Sequence, residues 1–96
     1  DMNAETKVQV WLPSVLRRHT DGASRALLSG AKVSEILAEL IVLYPVLRSH
    51  LFDAQGTLYP FITIFRNEVN IRDLELLETE LGSGDELRIL PAVAGG

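Results

Sequence analysis

One change of hydrophobic period constrains this chain more than any other feature. Val33, Ile36, Leu37, Leu40, Ile41 and Tyr44 recur at i, i+3, i+4, i+7, i+8 and i+11, the single stripe of an amphipathic helix. On either side the period is two. Residues 7–12 alternate, with Val8, Val10 and Leu12 facing one way and Lys7, Gln9 and Trp11 the other, until Pro13 ends the run. Thr20, Asp21 and Gly22 signal a turn, and residues 25–28 read as a second strand in hairpin register. Pro45 stops the helix, because the residue before a proline is pushed out of the helical region. Its start is poorly marked, since Lys32 stands where a Ser or Thr cap is expected.

Beyond the helix, residues 46–52 suggest a short helical turn and residues 53–56 a loop. Residues 61–65 form a strand, apolar on both faces, followed by a turn at Asn67 and Glu68 and a small extra strand near 69–72. A helical turn over 74–81 and a tight turn over 82–85 lead to the last strand, 86–90. Two hairpins and one long helix have one economical arrangement, an α+β roll. A mixed sheet of four to five strands then folds across the helix. The expected core is Val8, Val10, Leu12, Val33, Ile36, Leu37, Leu40, Ile62, Ile64, Leu87 and Ile89. By the same alternation Trp11, Phe61, Phe65 and Leu90, with Arg88 beside them, fall on the outer sheet face. An apolar patch of that size marks a partner interface unless the loop over 46–56 folds across it.

Composition removes several function classes. Hydrophobic residues make up 47% and charged residues 23% of the 96, which fits a folded domain. The net charge of −4 supplies no basic stripe for a nucleic-acid backbone. Without cysteine there is no disulfide, thiolate metal site or cysteine nucleophile. No leader and no apolar run of roughly 18 residues opens the way to a membrane, so the expected compartment is the cytoplasm. Asp1 ahead of Met2 reads as a residue left by expression. His19 and His50, far apart in sequence, read as surface or structural histidines rather than metal ligands. No motif frames a catalytic nucleophile, and Glu75, Glu78 and Glu80 read as a solvated face.

The expected organisation is a disordered N-terminus over 1–6, one domain over 7–91 and a flexible tail over 92–96. Pro91 cannot donate to a ladder, and Ala92, Val93, Ala94, Gly95 and Gly96 are all small. Five extended residues span about 17 Å, enough to carry the terminal carboxylate into another protein's active site. Glycines without Cβ atoms pass through a narrow channel. The plain alternative is a frayed terminus.

Residues 84–96, Gly-Asp-Glu-Leu-Arg-Ile-Leu-Pro-Ala-Val-Ala-Gly-Gly, resemble the C-terminal signature of the ubiquitin-like sulfur carriers of the MoaD/ThiS family. Within it, the chain is similar to the CysO-like branch that carries sulfur for cysteine biosynthesis. Pro13-Ser-Val-Leu-Arg-Arg-His-Thr20 matches that branch's Pro-x-x-Leu-Arg-x-His-Thr, Phe61 to Asn67 its Phe-x-x-Ile-x-x-Asn, and Ile89 to Gly96 stand unaltered. Lys32 and Ser83 depart from its helix-capping threonine and acidic turn residue.

The resemblance implies a β-grasp fold and a carrier rather than an enzyme. It implies that an E1-like enzyme uses ATP to adenylate Gly96, and that sulfur then converts the carboxylate to a thiocarboxylate. Ala92, Val93, Ala94 and Gly95 would thread the enzyme's channel, and Trp11, Phe61, Phe65, Arg88 and Leu90 would meet its surface. The acceptor implied is a pyridoxal-phosphate-dependent, cysteine synthase-like enzyme, with a metalloprotease trimming the C-terminus. No cofactor stays on the carrier. Alternatives are the small subunit of molybdopterin synthase, bound to its large subunit, a protein modifier linked through Gly96, and a binding module whose tail is incidental.

Overall fold

The computed structural model describes residues 6–91, and the stretches 1–5 and 92–96 lie outside it. Strand β1 (Lys7–Trp11) runs into a 3₁₀ segment (Ser14–His19) and returns as β2 (Arg25–Ser29). Helix α1 (Val33–Leu43) and the short α2 (Leu47–Leu51) follow. Strands β3 (Ile62–Arg66) and β4 (Val69–Asn70), two 3₁₀ turns (Ile71–Asp73 and Leu76–Glu78) and β5 (Glu86–Pro91) complete the domain. The sheet order is β2-β1-β5-β3-β4. β5 lies parallel to β1 and antiparallel to β3, and both hairpin pairs are antiparallel. This is the expected mixed roll, with five strands and one main helix.

All eleven residues expected in the core are buried, each at 2% exposure or less. The helical stripe seats Val33, Ile36, Leu37 and Leu40 against the inward residues of β1, β3 and β5, while Ile41 and Tyr44 are only half-buried at its edge. Six further residues complete the core: Leu16, Leu28, Leu47, Leu51, Ile71 and Leu81. Most of them sit in connections where no period is long enough to show which way a side chain points.

The unmarked start of α1 is capped from a distance. The first helical N–H, of Val33, donates to the Thr79 carbonyl at 3.0 Å, and Glu35 turns back to accept the Ala31 N–H at 2.7 Å. Tertiary and local acceptors thus replace the missing side-chain cap. Lys32 pairs with Glu78 at 2.9 Å, so the cap position and the acidic segment hold each other. Tyr44 leaves the helix with φ −133° ahead of Pro45, where the sequence places the stop.

Three boundaries differ from expectation. Thr6 belongs to the fold, because its carbonyl accepts the Gly30 N–H at 3.1 Å; the rest of the expected disordered stretch lies outside the described residues. β3 begins at Ile62, and Phe61 stands in the preceding turn stacked on Tyr59 with ring centroids 4.8 Å apart. β5 continues through Pro91, which lies opposite Ile62. A proline fits there because the β1 pairing ends at Arg88, leaving no neighbour on that side to receive its missing donor.

Candidate functional site

β5 is the middle strand of the sheet, so the chain leaves the domain from its most firmly held element. Asp85 fixes where that strand starts. Its carboxylate accepts the Gly82 N–H at 2.8 Å, Arg66 Nε at 3.0 Å and Asn67 Nδ2 at 3.1 Å. The turn before it needs Gly84 at φ +90°, a conformation closed to most side chains. Burial raises the Asp85 carboxyl pKa, but the bonds from Gly82, Asn67 and Arg66 outweigh it and hold the group below its ordinary value.

Register assembles the outer face. Trp11 lies opposite Arg25 on β2 and Arg88 on β5, and Arg88 lies opposite Phe65 on β3. One row of side chains, Arg25–Trp11–Arg88–Phe65, therefore crosses four strands. Both guanidiniums flank the indole, 5.4 Å and 5.5 Å from its centroid, within cation–π range. Trp11 Nε1 donates to Glu86 Oε1 at 3.2 Å. Leu90 stands one position further along the same face at 46% exposure, and Phe61 beside the sheet is 48% exposed. Trp11 and Phe65 are half-buried by their neighbours.

The segment over 46–56 does not cover this face. Leu47 and Leu51 are buried in the core, and Phe52 lines a groove with Ser34, Ala38, Ile41 and Val42 of α1. It packs on the helix side of the sheet. Trp11, Phe65, Arg88 and Leu90 are thus brought together with solvent access, whereas Phe61, expected on the same sheet face, stands in the turn before β3 because its ring stacks on Tyr59. The proposed tail residues Ala92, Val93, Ala94, Gly95 and Gly96 lie outside the described residues.

A hollow of about 190 Å³ opens at the foot of the tail, lined by Trp11, Leu12, Pro13, Arg17, Arg88, Ile89 and Leu90. Sequence reasoning missed Arg17 and Arg25 as neighbours of the patch. The hairpin register carried the signal for Arg25, since pairing β1 with β2 sets it opposite Trp11. Two clefts of about 740 Å³ each, one between Leu58, Ile62, Ile71 and Leu77 and one between Lys32, Arg66 and Glu80, include none of the proposed site residues.

His19 and His50, separate in sequence, come together in space with ring centroids 4.2 Å apart. Their juxtaposition joins the 3₁₀ segment to α2. Desolvation, then His50 and Arg18, lowers the His19 pKa. Among the described residues no cluster of three or more His, Asp or Glu could hold a metal ion, and no helix is long and apolar enough to cross a membrane.

The sequence profile of the ThiS family matches residues 10–96. The chain belongs to that family. It is 35% identical over 91 residues to the sulfur carrier protein CysO of Mycobacterium tuberculosis, covering 93% of this chain and 98% of that one. The small archaeal modifier protein 1 of Methanosarcina acetivorans superposes with a TM-score of 0.86 at 39% identity, over 96% of this chain and 98% of the other. The Amycolatopsis orientalis BexX/CysO complex contains a chain that superposes with a TM-score of 0.85 at 37% identity, covering 93% and 99%. The fold is therefore β-grasp, and the chain is a ubiquitin-like sulfur carrier by family.

Proposed function

We infer that this carrier is charged at the carboxylate of Gly96 and delivers sulfur as a thiocarboxylate, with cysteine biosynthesis as its pathway. The observation that carries this reading is the family match over residues 10–96, which takes in Gly95 and Gly96. The likeness to CysO supports the pathway.

A carboxylate with ordinary pKa ~3.3–3.7 is ionised at neutral pH and is a poor electrophile. An E1-like partner would let a Gly96 oxygen attack the α-phosphate of ATP, with pyrophosphate leaving. A sulfur donor would then add to the acyl carbon and expel AMP. The thiocarboxylate so formed is a nucleophile suited to an activated serine on a pyridoxal-phosphate enzyme. No side chain of the carrier takes part in a bond change. What the domain supplies is recognition through Trp11, Phe61, Phe65, Arg88 and Leu90, and a rigid root for the tail in β5.

The test is intact mass after incubation with the cognate activating enzyme, ATP and a sulfide source. The expected product has gained the difference between one sulfur and one oxygen, and loses it when Gly95 and Gly96 are deleted. An unchanged mass in the presence of an enzyme competent on its own carrier would overturn the reading. Leu90→Asp is expected to slow charging while leaving the melting temperature within a few degrees, because the side chain is half in solvent.

The likeness to small archaeal modifier protein 1 favours a second role, conjugation through Gly96 to protein lysines. Lysines of the native host's proteins carrying the residue 89–96 remnant that trypsin leaves on cleaving after Arg88 would mark that role.

A further inference from the structure

We propose that the hollow between Arg17 and Arg88 receives an acidic side chain of the activating enzyme, which would fix the carrier's orientation beside Leu90. The proposal rests on the carrier reading above and names the chemistry of the surface that meets this face.

The described residues lining the hollow include two arginines and no carboxylate. Arg17 is held in place, since its Nε and Nη2 both donate to the Leu12 carbonyl at 3.2 Å and 3.1 Å. Those bonds leave the rest of its donor fork open, and among the described residues it makes no ion pair. Arg88 lies against Trp11 and forms an ion pair with Glu86 at 3.6 Å, a distance longer than a hydrogen bond, which leaves its guanidinium donors for a further acceptor. Arg25 adds a third cation across the indole. A planar guanidinium pair around a small hollow matches a carboxylate in shape as well as sign. The volume, about 190 Å³, accommodates one carboxylate side chain with a few waters at roughly 30 Å³ each.

The rest of the molecule points the same way. The net charge is −4, and α1 and the segment leading to β5 carry Glu35, Glu39, Asp73, Glu75, Glu78 and Glu80 away from this face. Glu86 and Glu68 stand on the outer face beside Trp11 and Arg88, so what attracts an acidic partner is local to the hollow between Arg17 and Arg88, whose lining has no carboxylate. A nucleic-acid backbone fits less well, because Glu86 sits among the arginines and the chain is acidic overall.

The experiment measures association rates with the cognate activating enzyme by stopped flow at several salt concentrations. Wild type is compared with Arg88→Glu, with Arg17→Lys, and with Arg48→Glu, which makes the same charge change on exposed α2. Circular dichroism confirms that each variant is folded, and Arg88→Glu alone decides the question if Arg17→Lys is not. Arg88→Glu is expected to associate about tenfold more slowly at low salt, with the gap closing as salt rises, while Arg48→Glu stays within about twofold. Equal rates for Arg88→Glu and Arg48→Glu would overturn the proposal. So would loss of the salt dependence when Gly95 and Gly96 are removed, which would assign the carboxylate to the chain's own terminus. Competition by a single-stranded oligonucleotide at similar affinity would reassign the face to nucleic acid. Wild-type ATP–pyrophosphate exchange is run in parallel. Exchange without an Arg88 effect sinks this inference alone, and no binding or exchange by wild type sinks the carrier reading with it.

Discussion

Asp85 is the residue on which the geometry of the tail's root depends, because one carboxylate joins the turn before β5 to the β3–β4 turn. Replacing it with Ala leaves three donors without their acceptor and is expected to cost about 1–3 kcal/mol. Its pKa is lower in the folded chain than the ordinary 3.8, so its stabilisation is complete above that value. It is lost as the pH falls through the folded value. Acid melting curves of wild type and Asp85→Asn should therefore converge below about pH 4, and parallel curves would rule this account out. His19 behaves in the opposite chemical sense with the same slope. His19 has a pKa below 6.5 when folded, so the unfolded chain binds more protons as the pH drops through 6.5. Melting temperature is expected to fall on acidification from pH 7 through that range, and to fall less in His50→Gln. An equal fall in both proteins would show that the ring contact is not responsible.

The elements were legible where a period runs long enough to compete with local noise. Six residues spread over 33–44 carry the helical stripe, and β1, β3 and β5 each present two inward residues, so core and faces follow from spacing. Truncating Leu37 or Leu40 to Ala is expected to cost about 2–5 kcal/mol in denaturant melts, since both are almost fully buried. A loss below about 1 kcal/mol at both would mean that neither packs as described. Leu16, Leu47 and Ile71 were not legible, because each belongs to a 3₁₀ turn or single helical turn whose direction depends on what it packs against. The meeting of His19 with His50 has the same origin, a long-range closure between two such short segments. Lys32 leaves the helix start poorly marked in the sequence. In the fold the acceptor comes from Thr79, forty-odd residues away, a distance over which local pattern carries no information. The outer patch was legible from alternation alone, but the arginines around Trp11 needed register as well as period.

At the scale of the whole molecule, folding and chemistry occupy separate parts of the chain. The described domain ends at Pro91, and every bond change in the proposed cycle takes place at Gly96. A change confined to the last residue should therefore alter charging without altering the domain. Adenylation needs a free carboxyl oxygen held against the α-phosphate of ATP. One extra residue after Gly96 displaces that oxygen by about 3.5 Å along an extended chain and adds a side chain at the narrowest point of approach. Amidation preserves the length and removes the attacking oxygen. Both variants are expected to melt with wild type and to bind the activating enzyme through the sheet face, yet to support no ATP–pyrophosphate exchange. Deleting Gly96 should have the same effect for the opposite geometric reason, since the carboxylate then stops short. Equal exchange from wild type, the extended chain and the deletion would end the carrier reading, because no other group on this chain is asked to react. Exchange by the extended chain only after a metalloprotease trims it to Gly96 would support that reading, and would place a processing step ahead of activation.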